Sequence, residues 1–216
     1  MTNSLQIIHF GHSCVLVETG SARLLFDPGT FSHGFEDLRD LDAILITHQH
    51  FDHLDVDRLP ALVQANPQAT LVVDPGSAEE EIAKLSLTAT VANVGDTIEL
   101  NGAVVHAVNG EHAVIHPEFP VPPNIGYIVD GFYHPGDSHF VPDHKIDVLG
   151  LPAAAPWMKV GEAAEFLRAV APRVAVPIHD ATLSEIGKQG TIAWYQRLAP
   201  SGSEVRALTP LEPTEV

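Results

Sequence analysis

The sequence is short of cysteine and of positive charge. Its 216 residues include one cysteine, Cys14, so no internal disulfide can form. Eleven lysines and arginines stand against 28 acidic residues, giving a net charge of −17, and they form no basic cluster. Proteins that bind nucleic acids or anionic membranes use basic patches to neutralise phosphate. We therefore expect neither kind of partner.

Long apolar runs are also missing. No stretch approaches the ~20 apolar residues of a membrane span. The amino-terminal residues Met1-Thr2-Asn3-Ser4 lack the basic and apolar regions of a signal peptide. We therefore expect a cytoplasmic protein with a small-molecule substrate, for which a homo-oligomer is compatible with the sequence. Hydrophobic residues make up 45% of the chain and no linker or repeat divides it, so residues 1–216 are expected to form one domain.

Apolar and alternating stretches predict short strands in two series, each punctuated by helices. Ala43–Ile46 is a continuous apolar run, typical of a strand buried on both faces. Further strands are expected at Leu87–Asn93 and near Glu204–Ala207. Helices are expected at Val56–Ala65, capped by Asp55 or Asp57, near Ser77–Leu85, and at Val160–Val170 and Ser184–Leu198. This order predicts an α/β fold of four layers, with two mixed sheets flanked by helices.

Histidine is abundant, with 13 residues spread along the chain. Four potential metal ligands follow the Ala43–Ile46 strand directly, in the pattern His-x-His-x-Asp-His: His48, His50, Asp52 and His53. Residues separated by one position point the same way in an extended segment, so His48 and His50 can bind one ion. Asp52 and His53 lie farther along and can bind a second. Imidazole and carboxylate ligands suit zinc, and also manganese or iron.

Four ligands from one loop cannot complete two coordination shells. Three further candidates follow other predicted strands: His112 after an apolar strand, Asp137 in a glycine-containing turn, and His179 after Val174–Ile178. Loops at strand ends are where α/β folds place their chemistry. The rivals for the third histidine are His106, which lies in the middle of an apolar strand, and His116, which precedes a proline.

The order and spacing of these seven residues resemble the metallo-β-lactamase-fold superfamily. Asp27, in Leu24-Leu25-Phe26-Asp27-Pro28-Gly29, looks like that superfamily's early strand-end aspartate. The resemblance runs from Ile8 to His179 and implies an αββα sandwich with a dinuclear metal site along one edge. It implies one ion held by His48, His50 and His112 and a second held by Asp52, His53 and His179. Asp137 would bridge the two ions.

Two segments resemble one branch of the superfamily: the opening Phe10-Gly11-His12-Ser13-Cys14 and the turn Tyr133-His134-Pro135-Gly136-Asp137-Ser138. That branch holds the ascorbate-phosphate lactonases and small uncharacterised metal-dependent hydrolases. Position 50 is histidine where flavin-linked di-iron relatives carry glutamate, which argues against an oxygen or nitric-oxide reductase. The Gly-Gly that often follows the motif in thioesterase-like members is absent.

The resemblance implies a hydrolase in which a hydroxide bridged between two divalent ions is the nucleophile. Zinc is the expected metal. Asp52 and Asp137 are the expected catalytic carboxylates, and Asp27 would support a ligand histidine. His12, His33, His134 and His139 could line the cleft or be ordinary polar residues, and Trp157 could cover the site or pack. Lys145 and Lys159 could pair with an anionic substrate, although such lysines are more often solvated.

The expected reaction is hydrolysis of a small ester, lactone or related acyl substrate. One alternative is a phosphodiesterase or RNA-processing nuclease, which the scarcity of lysine and arginine disfavours. An alternative of another class is a metal-stabilised binding or sensing protein without turnover, against which the intact ligand set argues. The fold alone cannot decide among these, because one scaffold hosts many chemistries.

Overall fold

The computed structural model describes residues 5–216, so the amino-terminal tetrapeptide on which the signal-peptide expectation rests lies outside it. The first sheet has the spatial order β14-β1-β2-β3-β4-β5-β6. Its strands are β1 (Gln6–His9), β2 (Val15–Glu18), β3 (Arg23–Phe26), β4 (Ala43–Ile46), β5 (Thr70–Val73), β6 (Thr90–Val91) and β14 (Thr214–Glu215). Strands β3 to β6 run parallel, whereas β1, β2 and β14 are antiparallel to their neighbours, so the sheet is mixed.

The second sheet has the order β13-β12-β11-β10-β9-β8-β7. Its strands are β7 (Thr97–Leu100), β8 (Ala103–Val108), β9 (Gly126–Val129), β10 (Phe132–His134), β11 (Val148–Pro152), β12 (Val174–Ile178) and β13 (Glu204–Val205). Strands β10 to β13 are parallel and β7 to β10 are antiparallel, so this sheet is mixed as well.

Helices cover the outer face of each sheet. They are α1 (Leu59–Ala65), α2 (Pro75–Ser77), a π-helical turn Ala78–Ile82, α3 (Ala83–Leu85), α4 (Val160–Val170) and α5 (Glu185–Leu198). Within residues 5–216, none of these helices is long and apolar enough to cross a membrane. The predicted four-layer arrangement of two mixed sheets flanked by helices is confirmed.

Alternation along the strands builds three apolar layers. In β3, Leu24 and Phe26 point into the layer between the sheets, while Leu25 points into the layer beneath α1. The layer between the sheets takes buried side chains from both of them, for example Leu45 of β4 and Val148 of β11. The third layer packs Phe166 of α4 and others against the second sheet. Burial on both faces explains why the central strands read as continuous apolar runs.

Several element bounds differ from the sequence expectations. Helix α1 begins at Leu59 rather than Val56, because the Asp55 carboxylate accepts hydrogen bonds from the backbone N–H groups of Asp57 (3.0 Å) and Arg58 (2.9 Å) and forms a turn there. Of the stretch Leu87–Asn93, only β6 pairs in the sheet. Strand β14 was not predicted, because two residues carry no periodic signal and form a strand only by pairing with β1.

Candidate metal centre

The potential ligands meet where strands end. Strands β3 and β4 are parallel, and so are β10 and β12 with β11 between them. The segments after the carboxyl ends of these four strands carry Asp27, the motif His48–His53, Asp137 and His179. Parallel strands present their carboxyl ends at one edge of a sheet, which is where α/β folds bind ligands. The loop between β8 and β9 adds His112.

The motif loop is a tight turn packed on its neighbour. The backbone N–H groups of His53 and Leu54 both donate to the carbonyl of His50, each at 2.9 Å. Gly29 lies directly beneath this turn, and a Cβ atom built on Gly29 would lie 1.8 Å from the carbonyl oxygen of Asp52. The loop can therefore adopt this shape only because residue 29 has no side chain.

The structure brings seven predicted ligands together in two adjoining groups. One group contains His48, His50, His112 and Asp137, and the other contains His12, Asp52, His53 and His179; within each group the potential ligand atoms lie within 4.8 Å of one another. His48 Nε2 and His50 Nδ1 are 3.1 Å apart. His12 was predicted only to support or line the site, and its Nε2 lies 3.0 Å from Asp52 Oδ2.

Asp137 joins the two groups. Its Oδ1 atom lies 3.0 Å from His53 Nε2 and 3.1 Å from His179 Nε2, and its Oδ2 atom lies 3.2 Å from His112 Nε2. All three histidine nitrogens and Asp137 Oδ1 are buried, yet their geometry forms no hydrogen bond. Unpaired buried polar atoms are costly. Their convergence without mutual bonding fits a cation placed among them.

The opposite ring nitrogens fix which atoms can bind metal. His112 Nδ1 lies 2.5 Å from the Ala113 carbonyl oxygen, and His179 Nδ1 lies 2.6 Å from that of Ala154. Because a carbonyl only accepts, each Nδ1 carries a proton, and in the neutral form of each ring Nε2 is the atom that presents a lone pair to the centre. His53 Nδ1 lies 2.6 Å from Asp27 Oδ2 and has the same arrangement.

Thr47 extends this support to His48. Its hydroxyl donates to Asp27 Oδ2 at 2.7 Å and lies 3.0 Å from His48 Nδ1. Since the hydroxyl proton is already used, His48 Nδ1 must donate to the Thr47 oxygen, which leaves His48 Nε2 free as a ligand atom. Asp27 is fully buried. Its carboxylate orients two of the candidate ligands, His53 directly and His48 through Thr47.

The carboxylates give the centre an affinity for positive charge. Burial alone would lower the pKa of His179, but the carboxylates of Asp137 and Asp52 outweigh it and raise this pKa to about 9. Burial would raise the pKa of Asp137, yet His53 and His179 hold it well below its usual range. The pKa of fully buried His48 is lowered by burial and by His53. Without a metal, protons supply the positive charge, so metal binding must release them.

Two residues that were predicted to support or line the site contact the centre: His12, which lies in one ligand group, and His134, which lies in neither. The backbone N–H of Ala181 lies 3.3 Å from His12 Nδ1, which makes His12 Nε2 the donor to Asp52. His134 is buried, and its Nδ1 accepts from the backbone N–H of Gly136 at 3.2 Å while its Nε2 donates to the Ser13 carbonyl at 2.9 Å. His134 therefore holds the turn that carries Asp137.

Other residues named from the sequence lie elsewhere. His106 is half-buried in β8, with its Nδ1 3.3 Å from the hydroxyl of Thr97, and neither His106 nor His116 belongs to a ligand group. His33, Lys145 and Lys159 are exposed, and Lys159 pairs with Glu162 at 3.2 Å. His139 stacks on Phe166 with ring centroids 5.2 Å apart.

Sequence reasoning missed two contacts to Asp137. The Trp157 indole N–H donates to Asp137 Oδ2 at 2.8 Å, where a lid or a packing role was expected. The side-chain oxygen of Asn124 accepts from the Asp137 backbone N–H at 2.9 Å. No local signal marks Asn124, which lies 13 residues away in a loop. The indole of Trp157 likewise reaches Asp137 only through the fold.

Comparisons with known proteins find related sequences and a similar fold. A family model described as "Beta-lactamase superfamily domain" matches residues 6–179. Protein Rv0786c of Mycobacterium tuberculosis is 55% identical over 186 residues, covering 83% of this chain and 86% of that protein. A UPF0173 metal-dependent hydrolase of Pyrococcus abyssi is 29% identical over 232 residues, covering 98% of this chain and 100% of that protein. The crystal structure of a protein from Parabacteroides distasonis matches this fold with a TM-score of 0.72 and 26% sequence identity. The match covers 94% of this chain and 92% of that protein.

Proposed function

Because the chain belongs to the metallo-β-lactamase superfamily and is a metal-dependent hydrolase, we propose that it cleaves a small ester, lactone or related acyl substrate using two divalent ions, zinc first. The observation that carries this proposal is the convergence of buried, unpaired histidine nitrogens on the carboxylate of Asp137. Such a donor set of imidazoles and carboxylates suits zinc.

Each ligand has a proposed place. His48, His50 and His112 would hold one ion, and Asp52, His53 and His179 would hold the second, with Asp137 shared between them. When bound, two such ions provide a hydroxide nucleophile at neutral pH and polarise the acyl carbonyl. The buried Asp27 keeps His53 and, through Thr47, His48 in the orientation that the ions require.

Asp52 and Asp137 have separate tasks. His12 donates to Asp52 Oδ2 at 3.0 Å, and His179 Nε2 lies 3.5 Å from the same oxygen. Burial would raise the pKa of Asp52, but these histidines hold it far below its usual range, so Asp52 stays ionised and can orient an attacking water as an acceptor. Asp137 is held by Trp157 and Asn124, which fixes the carboxylate between the two ligand groups.

The alternatives have less support. A nuclease would need cations for phosphate, and the sequence has only 11 lysines and arginines against 28 acidic residues, with no basic cluster. A sensing protein without turnover would not need hydrogen bonds that fix the ligand histidines of both groups in one orientation. We also propose one domain spanning both sheets, because they share a buried layer. A cytoplasmic location stays a prediction of the sequence.

The test compares wild type with Asp137→Asn on lactone, ester, thioester, phosphodiester and β-lactam substrates, with metal content measured on the same samples. The substitution keeps the size of the side chain but removes its charge. We expect weaker binding of the second ion and a fall of at least about 100-fold in kcat on acyl substrates, with KM changing far less.

Two results would overturn the proposal. Wild-type turnover from Asp137→Asn protein that carries both ions would refute the bridging carboxylate. No acyl turnover from wild-type protein with two bound ions would favour the sensing protein, and preferential phosphodiester cleavage would favour the nuclease.

A further inference from the structure

A cavity of about 240 Å³ opens beside the metal centre, lined by His50, His112, Ala113, Ile115, Phe119, Pro120, Val121 and Pro122. We propose that this cavity binds a compact, uncharged apolar group on the acyl side of the substrate, and that Ile115, Phe119 and Val121 determine which acyl groups are accepted. The inference rests on the proposed acyl hydrolysis and names the substrate class of that same site.

The cavity and the metal centre share two side chains. His50 and His112, whose ring centroids are 4.8 Å apart, belong to one ligand group and also form one wall of the cavity. A group seated in the cavity is therefore directly beside the atoms where the carbonyl must react. Binding energy gained there positions the reacting carbon against the nucleophile.

The chemistry of the walls selects against charge. Among residues 5–216, no lysine, arginine or carboxylate lines the cavity, and its only ionisable side chains are the two histidines of the metal group. Lys159 is exposed and pairs with Glu162, and Lys188 pairs with Asp180 at 2.8 Å. A phosphate or second carboxylate on the substrate would lose its hydration here without gaining a partner.

The walls also leave apolar surface in contact with water. The side chains of Ile115, Phe119 and Val121 are 44%, 66% and 43% exposed, all on one loop. Exposed apolar side chains grouped around a concave site mark ligand-binding surfaces. An apolar acyl group that covers these side chains removes their apolar area from water, which is favourable, whereas a charged group would lose its own hydration in doing so.

The loop between β8 and β9, residues 109–125, holds the cavity open before ligand binds. Near its start, the backbone N–H of His112 donates to the backbone carbonyl of Pro122 (3.1 Å), and that of Ala113 donates to the backbone carbonyl of Asp137 (2.8 Å). At its end, the backbone N–H of Ile125 donates to the backbone carbonyl of Thr47 at 2.8 Å. Four prolines restrict the remainder: Pro117, Pro120, Pro122 and Pro123. A loop restrained in this way loses little entropy on binding.

The volume sets the size of the group. At ~30 Å³ per water molecule, the cavity corresponds to about eight waters, and so to an acyl substituent of about eight heavy atoms. A cyclohexyl or phenyl ring fits this limit, whereas a long fatty chain exceeds it. The expected substrate is thus an ester or lactone that carries a compact branched or cyclic apolar group.

The test uses full-length protein reconstituted with zinc and three p-nitrophenyl esters that differ only in the acyl group: acetate, cyclohexanecarboxylate and the anionic hydrogen succinate. We expect kcat/KM for cyclohexanecarboxylate to exceed that for acetate by about tenfold or more, and hydrogen succinate to be the slowest. Val121→Trp fills the cavity and should reduce the ratio of cyclohexanecarboxylate to acetate at least about fivefold. Val114→Trp is the matched control on the same loop, because Val114 does not line the cavity.

A second readout does not depend on turnover. Calorimetry should show that cyclohexanecarboxylate binds the zinc-loaded protein more tightly than acetate, with a negative heat-capacity change that Val121→Trp reduces. If esters are hydrolysed at rates independent of the acyl group, the cavity assignment is wrong while the acyl-hydrolase proposal stands. If no ester is hydrolysed, the acyl-hydrolase proposal fails, and calorimetry alone decides the cavity. Equal affinity for both carboxylates then overturns the assignment.

Discussion

The hydrogen-bond partner of Nδ1 distinguishes the candidate ligand histidines from other histidines of the chain. In His112 and His179 a backbone carbonyl accepts from Nδ1, and in His53 the carboxylate of Asp27 does. Each of these rings therefore points its Nε2 at a common centre, where loss of a proton leaves a lone pair for a metal ion. His106 belongs to neither ligand group; its Nδ1 lies 3.3 Å from the Thr97 hydroxyl, and its ring centroid lies 5.0 Å from that of His144. The same residue type thus has two roles, set by one hydrogen bond.

This difference predicts the effect of removing each histidine. His112→Ala should weaken one metal site by about 100-fold or more, because a ligand with a fixed lone pair is lost. His106→Ala should leave metal content unchanged and lower the free energy of unfolding by about 1 kcal/mol or less, since it loses one weak hydrogen bond at a half-buried position. Elemental analysis after dialysis and urea unfolding measure the two effects. Loss of metal from the His106 variant alone would reverse the assignment.

The site residues that the sequence predicted most directly are those that lie close together in the chain. His48, His50, Asp52 and His53 form one short segment after an apolar strand, so their proximity follows from the chain itself. His112, Asp137 and His179 were reached because each follows an apolar stretch. Asn124 and the Trp157 indole were not, because their contacts with Asp137 depend on how loops from different strands meet.

At the scale of elements, the central strands match the sequence expectations, whereas the edge strands and the loops differ from them. Strands β4 and β12 have the bounds that their apolar runs predict, since burial on both faces gives a continuous apolar signal. The 109–125 loop gave no periodic signal, so the cavity that it forms could not be predicted. Edge strands β6 and β14 are two residues each and exist through pairing with a neighbour.

The packing of the motif loop on Gly29 gives a prediction for that element. Gly29→Ala would place a Cβ atom 1.8 Å from the carbonyl oxygen and 2.1 Å from the carbonyl carbon of Asp52, and backbone atoms cannot move aside cheaply. We expect a loss of about 2–3 kcal/mol of unfolding free energy and displacement of Asp52 and His53, which weakens the second metal site most. Thermal unfolding with metal analysis measures both effects.

Gly190→Ala is the matched control for this substitution. It lies within α5, and an added Cβ would meet nothing within 4 Å. We expect it to raise stability by about 0.5–1 kcal/mol with full metal content, because alanine favours the helix. A Gly29→Ala protein that keeps two ions and wild-type stability would contradict the close packing of this loop.

At the scale of the whole molecule, the metal centre joins the two sheets. The first sheet supplies the motif loop after β4, and the second supplies His112, Asp137 and His179. The net charge of −17 on the whole chain favours the approach of cations over that of large anionic partners. Because each sheet supplies ligands, catalysis by ions bound at this centre would depend on the position of the two sheets relative to each other.

The most direct test is a metal titration of chelator-stripped protein, with bound metal and ester turnover measured at each step. If the ligand atoms grouped around Asp137 act as proposed, the chain takes up two ions, and turnover rises until the second ion is bound. Full turnover from stripped protein with less than about one tenth of an ion per chain would contradict the account, and so would the absence of any tight metal binding.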